Sequence, residues 1–243
     1  TWQYDGSGNI LYKREYAYTT GNLGTATSTK AYIYGNSQWG DLLTGYDGRN
    51  ITSDTIGNML SDGVRNYTWE HGRQLATMTR DGGTTTWNYT YNTAGLRTGR
   101  YVQNGTAYKY VYNGGQLVQM TKGDQVVSFA YDAGGTPLTM KVGENTYYYV
   151  TNIQGDVMAL VKVTDEGIET AASYSYTAYG VVTATGDATV IALNPLTYRG
   201  YVYDTETGLY YLQSRYYDPA IGRFINADGL VSTGQGLLGN NMF

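Results

Sequence analysis

One unit of sequence recurs along this chain and limits what the chain can fold into. It consists of two aromatic residues separated by one position, then an Asp or Asn, two further residues, a Gly, one residue and an apolar side chain. The plainest copies are "WQYDGSGNIL" from Trp2, "YTYNTAGLRTG" from Tyr89, "YVYNGGQLVQM" from Tyr110 and "FAYDAGGTPLTM" from Phe129. Weaker copies begin at Tyr32, Ile51, Tyr67, Tyr147 and Tyr174. Successive copies lie about twenty residues apart, the period of a structural repeat.

The unit reads as a β-hairpin. Tyr110 and Tyr112 are two positions apart, so their rings share one side of a strand while Val111 faces the other. Asn113-Gly114-Gly115 supplies residues that tolerate positive φ at a tight turn. "QLVQM" then returns as an extended segment. An isolated two-stranded hairpin is marginal in water, so each unit must pair with its neighbours to bury its ring-bearing face. The expected product is an antiparallel sheet that grows hairpin by hairpin. Helical spacing is weak, because Gly or Asn interrupts nearly every window, and almost no helix is expected.

Two roles are open to the recurring rings. They can form a packed spine along the sheet, or platforms for sugars. Regular spacing in every unit favours packing, since a binding site would concentrate rings locally beside polar partners. The acids in "DGSGN", "DGRN" and "DAGG", at Asp5, Asp47 and Asp132, fit turn chemistry better than calcium loops, because the alternating ligand pattern is missing.

Composition narrows the function classes. The chain has 28 Tyr and 33 Gly among 243 residues, a formal charge of −4 and no run of Lys or Arg, which argues against a nucleic-acid surface. No apolar stretch is long enough for a helical membrane span or a signal peptide. With no Cys, disulfides, thiol nucleophiles and Cys-based metal sites are excluded. The single histidine, His71, rules out a multi-His metal centre, and its place before a Gly suits an exposed turn. No metal site or cofactor is expected. The opening residues already read as repeat, so the chain looks like a piece of something longer.

The stretch Tyr198 to Phe224 is the densest in charges and rings. In so charge-poor a chain, Arg199, Asp204, Glu206, Arg215, Asp218 and Arg223 stand out. Their near balance of signs favours a structural network of ion pairs and hydrogen bonds over a poised acid and base, which needs imbalance or desolvation. Read as one continuous strand, "LYYLQSRYY" puts Tyr211, Gln213, Arg215 and Tyr217 on one face, and Tyr210, Leu212, Ser214 and Tyr216 on the other.

The recurring unit resembles the YD repeat, whose tyrosine–aspartate step is present as Tyr4-Asp5, Tyr46-Asp47, Tyr131-Asp132 and Tyr203-Asp204. The C-terminal stretch is similar to the signature of the RHS-repeat-associated core domain. The matching residues are Asn194, Tyr198-Arg199, Asp204, Glu206, Gly208-Leu209-Tyr210-Tyr211, Arg215-Tyr216-Tyr217, Pro219, Gly222-Arg223-Phe224 and Asp228. The resemblance implies an all-β fold, a spiralling array of antiparallel hairpins forming a YD-repeat shell over residues 1–193. A core or plug segment, truncated at its C-terminal end, follows over 194–243. In a piece of this length the wall is expected to stay open, with 194–243 turned inward against it.

The function implied is that of a bacterial encapsulating shell, secreted or surface-delivered, which houses and delivers a C-terminal toxin or effector. The expected partners are that cargo, encoded beyond Phe243, and a cell-surface protein or glycan; neither nucleic acid nor membrane insertion is expected. The alternative is an adhesion or carbohydrate-binding module using exposed rings. A third reading is an aspartic-type autoprotease. Two nearby carboxyls cannot both ionise, so one can act as acid while the other activates water. The resemblance places the first aspartate of such a site at Asp228 and a supporting arginine at Arg215. "DGLV" at Asp228 departs from the family's Asp-Pro-x-Gly, and the second aspartate and scissile bond would lie beyond Phe243. The chain is therefore expected not to cleave itself.

Overall fold

In the computed structural model, which describes residues 1–80, 82–229 and 241–243, the chain divides into two compact units. The first is Thr1–Thr84 with Ile225–Phe243, and the second is Thr85–Phe224. Residues 194–224 of the expected core segment thus belong to the second unit and 225–243 to the first.

The first unit begins with β1 (Trp2–Tyr4), β2 (Ile10–Glu15), β3 (Ser28–Ile33), β4 (Gly45–Tyr46) and β5 (Arg49–Asn50), each antiparallel to the next. It continues with β6 (Thr52–Ser53), β7 (Met59–Ser61), β8 (Arg65–Glu70) and β9 (Gln74–Arg80). Leu75 and Met78 are fully buried, with Ile10, Tyr32, Met59 and Tyr67 nearly so. The returning C-terminal residues are bound to these strands: the Ile225 carbonyl accepts from Met59 N–H at 2.8 Å, and Phe243 packs on Trp39 with centroids 5.5 Å apart.

The second unit is a meander followed by a small sheet. Its strands are β10 (Thr86–Tyr91), β11 (Arg97–Val102), β12 (Ala107–Asn113), β13 (Gln116–Lys122), β14 (Gln125–Tyr131) and β15 (Pro137–Val142). After them come β16 (Asn145–Thr151), β17 (Val157–Thr164), β18 (Gly167–Tyr176) and β19 (Val182–Gly186). Each pairs antiparallel with its successor. A six-residue helix, α1 (Ala188–Leu193), follows, N-capped by the Asp187 carboxylate. The chain ends in this unit with β20 (Val202–Asp204), β21 (Leu209–Leu212), β22 (Arg215–Asp218) and β23 (Arg223–Phe224), a second antiparallel sheet. The all-β hairpin architecture is the one the repeat predicts.

One turn geometry explains why the repeat folds this way. At Asn92 the side-chain Oδ1 accepts from Ala94 N–H and Leu96 N–H, both at 3.0 Å. The backbone closes the same loop, with Asn92 N–H donating to Leu96 C=O and Gly95 N–H to Asn92 C=O. Gly95 has φ 80°, a left-handed conformation that a Cβ would disfavour. Asp5, Asp54, Asp132 and Asn152 repeat these bonds, and Thr177 repeats the backbone pair with its hydroxyl accepting from Val181 N–H. In these copies the Asp or Asn is a turn acceptor and the Gly lets the turn close; the copy at Tyr110 instead turns through Gly114 and Gly115, at φ 57° and 87°, between the paired Asn113 and Gln116. Asp47 differs: it sits with Gly48 at positive φ in a two-residue turn between β4 and β5, and its carboxylate takes Lys30.

The continuous-strand reading of "LYYLQSRYY" is corrected. Gln213 adopts φ 61° and Ser214 N–H donates to Leu212 C=O at 2.7 Å, so the stretch folds back as the β21–β22 hairpin. Tyr210 consequently faces Tyr217, and Tyr211 faces Tyr216, with centroids 5.2 Å apart in the second pair. No Gly or Asn marks this turn, which is why strand alternation alone misassigns the faces.

Candidate functional site

The meander's recurring rings point to one face. Along β12, Tyr108 and Tyr110 are buried while Ala107, Lys109 and Val111 are exposed. Tyr89 and Tyr174 are buried likewise, so the rings serve as a packing spine. Against that face lies the segment from Asn194 to Phe224. Asn194 anchors its start: its side chain accepts from Tyr149 Oη at 2.7 Å and donates to Tyr174 Oη and the Leu196 carbonyl. Farther along, Tyr210 Oη donates to the Gly180 carbonyl, and Tyr217 Oη to that of Tyr179.

At the centre of this contact is a buried charge cluster. Arg97, with no solvent exposure, meets Asp204 through two parallel bonds, Nη1 to Oδ2 at 2.5 Å and Nη2 to Oδ1 at 2.9 Å. Arg100 lies 3.5 Å from Asp204 and donates from Nη2 to Glu206 at 2.9 Å; Tyr108 Oη also donates to Glu206. Four rings surround the Arg97 guanidinium, Tyr211 at 4.5 Å, Tyr110 at 4.8 Å, and Tyr89 and Tyr216 at 5.7 Å. The Arg97 and Arg100 Nε–H groups make no hydrogen bond among the described residues; the ring faces around Arg97 offset this there, while Arg100 lies over the Tyr108 ring at 4.1 Å with its Nε 3.5 Å from Asp204. The Arg97 backbone N–H donates to Tyr211 Oη at 2.8 Å.

A β-bulge aims both arginines at the same place. Tyr89 pairs with Arg100 and Tyr91 with Arg97, leaving Thr98 as an extra residue. In a regular strand, residues three apart face opposite sides; the extra residue brings Arg97 and Arg100 to one face.

The cluster holds its charges fixed. Burial alone would raise the Glu206 carboxyl, but the Arg100 guanidinium and the Tyr108 hydroxyl hold it down at about 2. Burial would lower both guanidinium groups, yet the adjacent Asp204 moves them upward instead. The Tyr89, Tyr108 and Tyr110 phenols are pushed up, chiefly by burial. With two cations facing two carboxylates and Glu206 ionised at neutral pH, the chemistry is that of a clamp between sheet and C-terminal segment.

The charged residues singled out from the sequence are dispersed. Asp204 and Glu206 enter this clamp, with guanidinium partners supplied by β11. Arg199 is half exposed, its Nε 3.6 Å from Asp156. Arg215 stacks over Phe224 at 3.7 Å. The buried Asp218 carboxylate accepts from Ala220 N–H at 2.8 Å and pairs across β22–β23 with the position of Arg223, also buried. Asp228 is in the first unit, where its N–H donates to the Met242 carbonyl at 2.9 Å. His71 is exposed in a turn at φ 47°.

Arg97 and Arg100 lie outside the charged C-terminal stretch that stands out in the sequence, although the repeat contains the signal. Five positions after the turn Asp, Asn or Thr, the other copies carry Ile10, Met59, Pro137, Val157 and Val182; the copy at Asn92 carries Arg97. A cation in a slot reserved for apolar side chains implies a buried carboxylate opposite it.

Comparison with known proteins agrees with this architecture. The family model described as teneurin YD-shell matches residues 2–235. The chain is 34% identical over 232 residues to the tRNA3(Ser)-specific nuclease WapA of Bacillus spizizenii, spanning 93% of this chain and 9% of the relative. It is 27% identical over 280 residues to double-stranded DNA deaminase toxin A of Burkholderia cenocepacia, spanning 93% of this chain and 19% of that protein. Among solved structures, the Tc holotoxin pore of Photorhabdus luminescens superposes with a TM-score of 0.69 at 20% identity, over 100% of this chain and 12% of the other. The complex of TcdB2-TccC3 with Cdc42 gives 0.62 at 19% identity, over 100% and 15%.

Proposed function

Because the chain belongs to the teneurin YD-shell family, we propose that it is a section of shell wall in a longer exported polypeptide, and that the shell encloses a C-terminal toxin. The observation that carries this reading is the extent of the family match, residues 2–235, in a chain spanning only 9% of a tRNA nuclease relative and 19% of a DNA deaminase toxin. The wall's contribution is mechanical. Paired hairpins leave few free strand edges, and the Arg97–Asp204 clamp holds the C-terminal segment against the tyrosine face.

Protease protection tests it. In the full-length polypeptide, the region following this chain is expected to survive protease that digests the same region expressed alone. Equal digestion rates in the two settings overturn the reading. The autoproteolytic role of Asp228 and Arg215 is a separate proposal. If it holds, Asp228→Asn in the full-length polypeptide abolishes release of the downstream region on a denaturing gel; unchanged release removes Asp228 from the mechanism.

A further inference from the structure

In the first unit two connections between strands are long. β3 and β4 are joined by residues 34–44, and β2 and β3 by residues 16–27. The β3–β4 loop is pinned along its length. Leu42 and Leu43 are buried, Tyr34 Oη donates to the Ile10 carbonyl at 3.0 Å, Asn36 Oδ1 accepts from Gln38 N–H and Trp39 N–H, and Trp39 packs on Phe243.

The β2–β3 loop, "YAYTTGNLGTAT", has no such anchors among the described residues. All of its residues but Tyr16 and Ala26 are exposed. Its hydrogen bonds there are Thr27 N–H to the Glu15 carbonyl at 2.8 Å, which closes the base, and Gly21 N–H to Thr19 Oγ1 at 3.0 Å. Two large apolar side chains stand in water, Tyr18 at 93% exposure and Leu23 at 55%. Other outward rings, those of Tyr4, Tyr101 and Tyr148, are held in strands at 43–47%. Ile153 is fully exposed, but its turn is fixed by two N–H bonds to the Asn152 side chain. Connections of about 12–15 residues without secondary structure are uncommon in compact domains and usually serve a function.

We propose that this loop is a processing site, at which an endopeptidase that reads an aromatic side chain hydrolyses the Tyr18–Thr19 bond. Such an enzyme holds its substrate as an extended strand, paired through the backbone, with the ring in a pocket. A tight turn does not supply that shape. Residues 16–20 do, because their backbone N–H and C=O groups make no hydrogen bond among the described residues and the Tyr18 ring is already in water. With a serine-type enzyme, the hydroxyl attacks the Tyr18 carbonyl carbon, the Thr19 amine leaves with a proton from the enzyme's histidine, and water then splits the ester. The net change is one water added across the peptide bond.

The cut leaves the wall joined. β2 stays paired to β3 from Tyr12 opposite Ala31 to Glu15 opposite Ser28, and β1 stays paired to β2. Ile10 is buried, and its carbonyl holds the Tyr34 hydroxyl. Hydrolysis therefore breaks the continuity of the chain without detaching the strands that precede the cut. The inference concerns the wall itself and does not depend on what the shell encloses.

Limited digestion of the folded 243-residue chain with chymotrypsin, followed by mass spectrometry, tests it. The first cut is expected after Tyr18, and fragments 1–18 and 19–243 should coelute on size exclusion until denaturant separates them. The rate, corrected for the enzyme's own activity in urea, should not change below the unfolding transition, because the folded form is the substrate. Tyr18→Ser should slow loss of the intact chain severalfold at an unchanged melting temperature, whereas Tyr148→Ser, at a ring held in β16, should not. A first cut at any other bond, a rate that climbs with sub-denaturing urea, an unchanged rate in Tyr18→Ser, or release of 1–18 from the folded chain overturns the proposal.

Discussion

Arg97 is a fully buried cation whose charge is met by Asp204. Removing one member of a buried pair leaves the other charge without compensation, so Arg97→Met or Asp204→Asn should destabilise by about 3–5 kcal/mol. Denaturant unfolding of the chain would measure this. The double variant Arg97→Met/Asp204→Leu should lose much less than the sum of the single changes. Glu206 contributes differently. Its folded carboxyl titrates at about 2 against 4.5 in an unperturbed chain, so its contribution is complete above about pH 4.5 and disappears as pH falls from there toward 2. Its side chain is 36% exposed, so solvent screens part of that contribution. Glu206→Gln should therefore flatten the dependence of the urea midpoint on pH within that window and lower the midpoint at neutral pH, where the carboxylate's contribution is complete; an unaltered acid slope would contradict the clamp's geometry. From sequence, Asp204 and Glu206 stand out because they sit in a dense charged stretch. Their partners do not, because Arg97 is 107 residues away and is conspicuous only when the copies of the repeat are aligned slot by slot.

At the scale of the element, the hairpin is set by its turn. Asp and Asn occupy the same acceptor position in different copies, so Asn92→Asp should leave stability within a few tenths of a kcal/mol, while Asn92→Ala should cost roughly 1 kcal/mol, as a lost helix cap does. Gly95→Ala, which forces a Cβ into φ 80°, should cost about 1–2 kcal/mol. Equal effects of the Asp and Ala changes at position 92, read from thermal or urea unfolding, would show that the side-chain bonds carry no weight. These turns were legible because their chemistry is local: Asp or Asn followed by Gly specifies both acceptor and left-handed residue within five positions. The β21–β22 turn was not, since Gln213 takes a left-handed conformation without the residue type that announces one. The Thr98 bulge was hidden for a related reason, as its cause lies in the pairing of two strands.

Across the molecule, tyrosine takes the place that Leu and Phe hold in most cores, and with it comes sensitivity to base. Burial pushes the phenols of the tyrosine face upward, Tyr131 to about 12. A folded-state value above the unfolded one, near 10, means that stability is complete below about pH 10 and declines as pH rises toward 12. The urea midpoint of the chain should fall steeply over that interval, and Tyr131→Phe should reduce the slope. A midpoint unchanged between pH 9 and 12 would be inconsistent with buried phenols. The distant pairing of Arg97 with Asp204 also has a meaning in time. At synthesis rates of 5–20 residues per second, Arg97 is made roughly 5–20 s before its carboxylate exists. Local hairpins can form during that delay, but a guanidinium cannot be sealed away from water without its counter-ion. The tyrosine face around it must stay hydrated until the last strands arrive, so the clamp acts as a timer that postpones closure of this core until translation has delivered its C-terminal part.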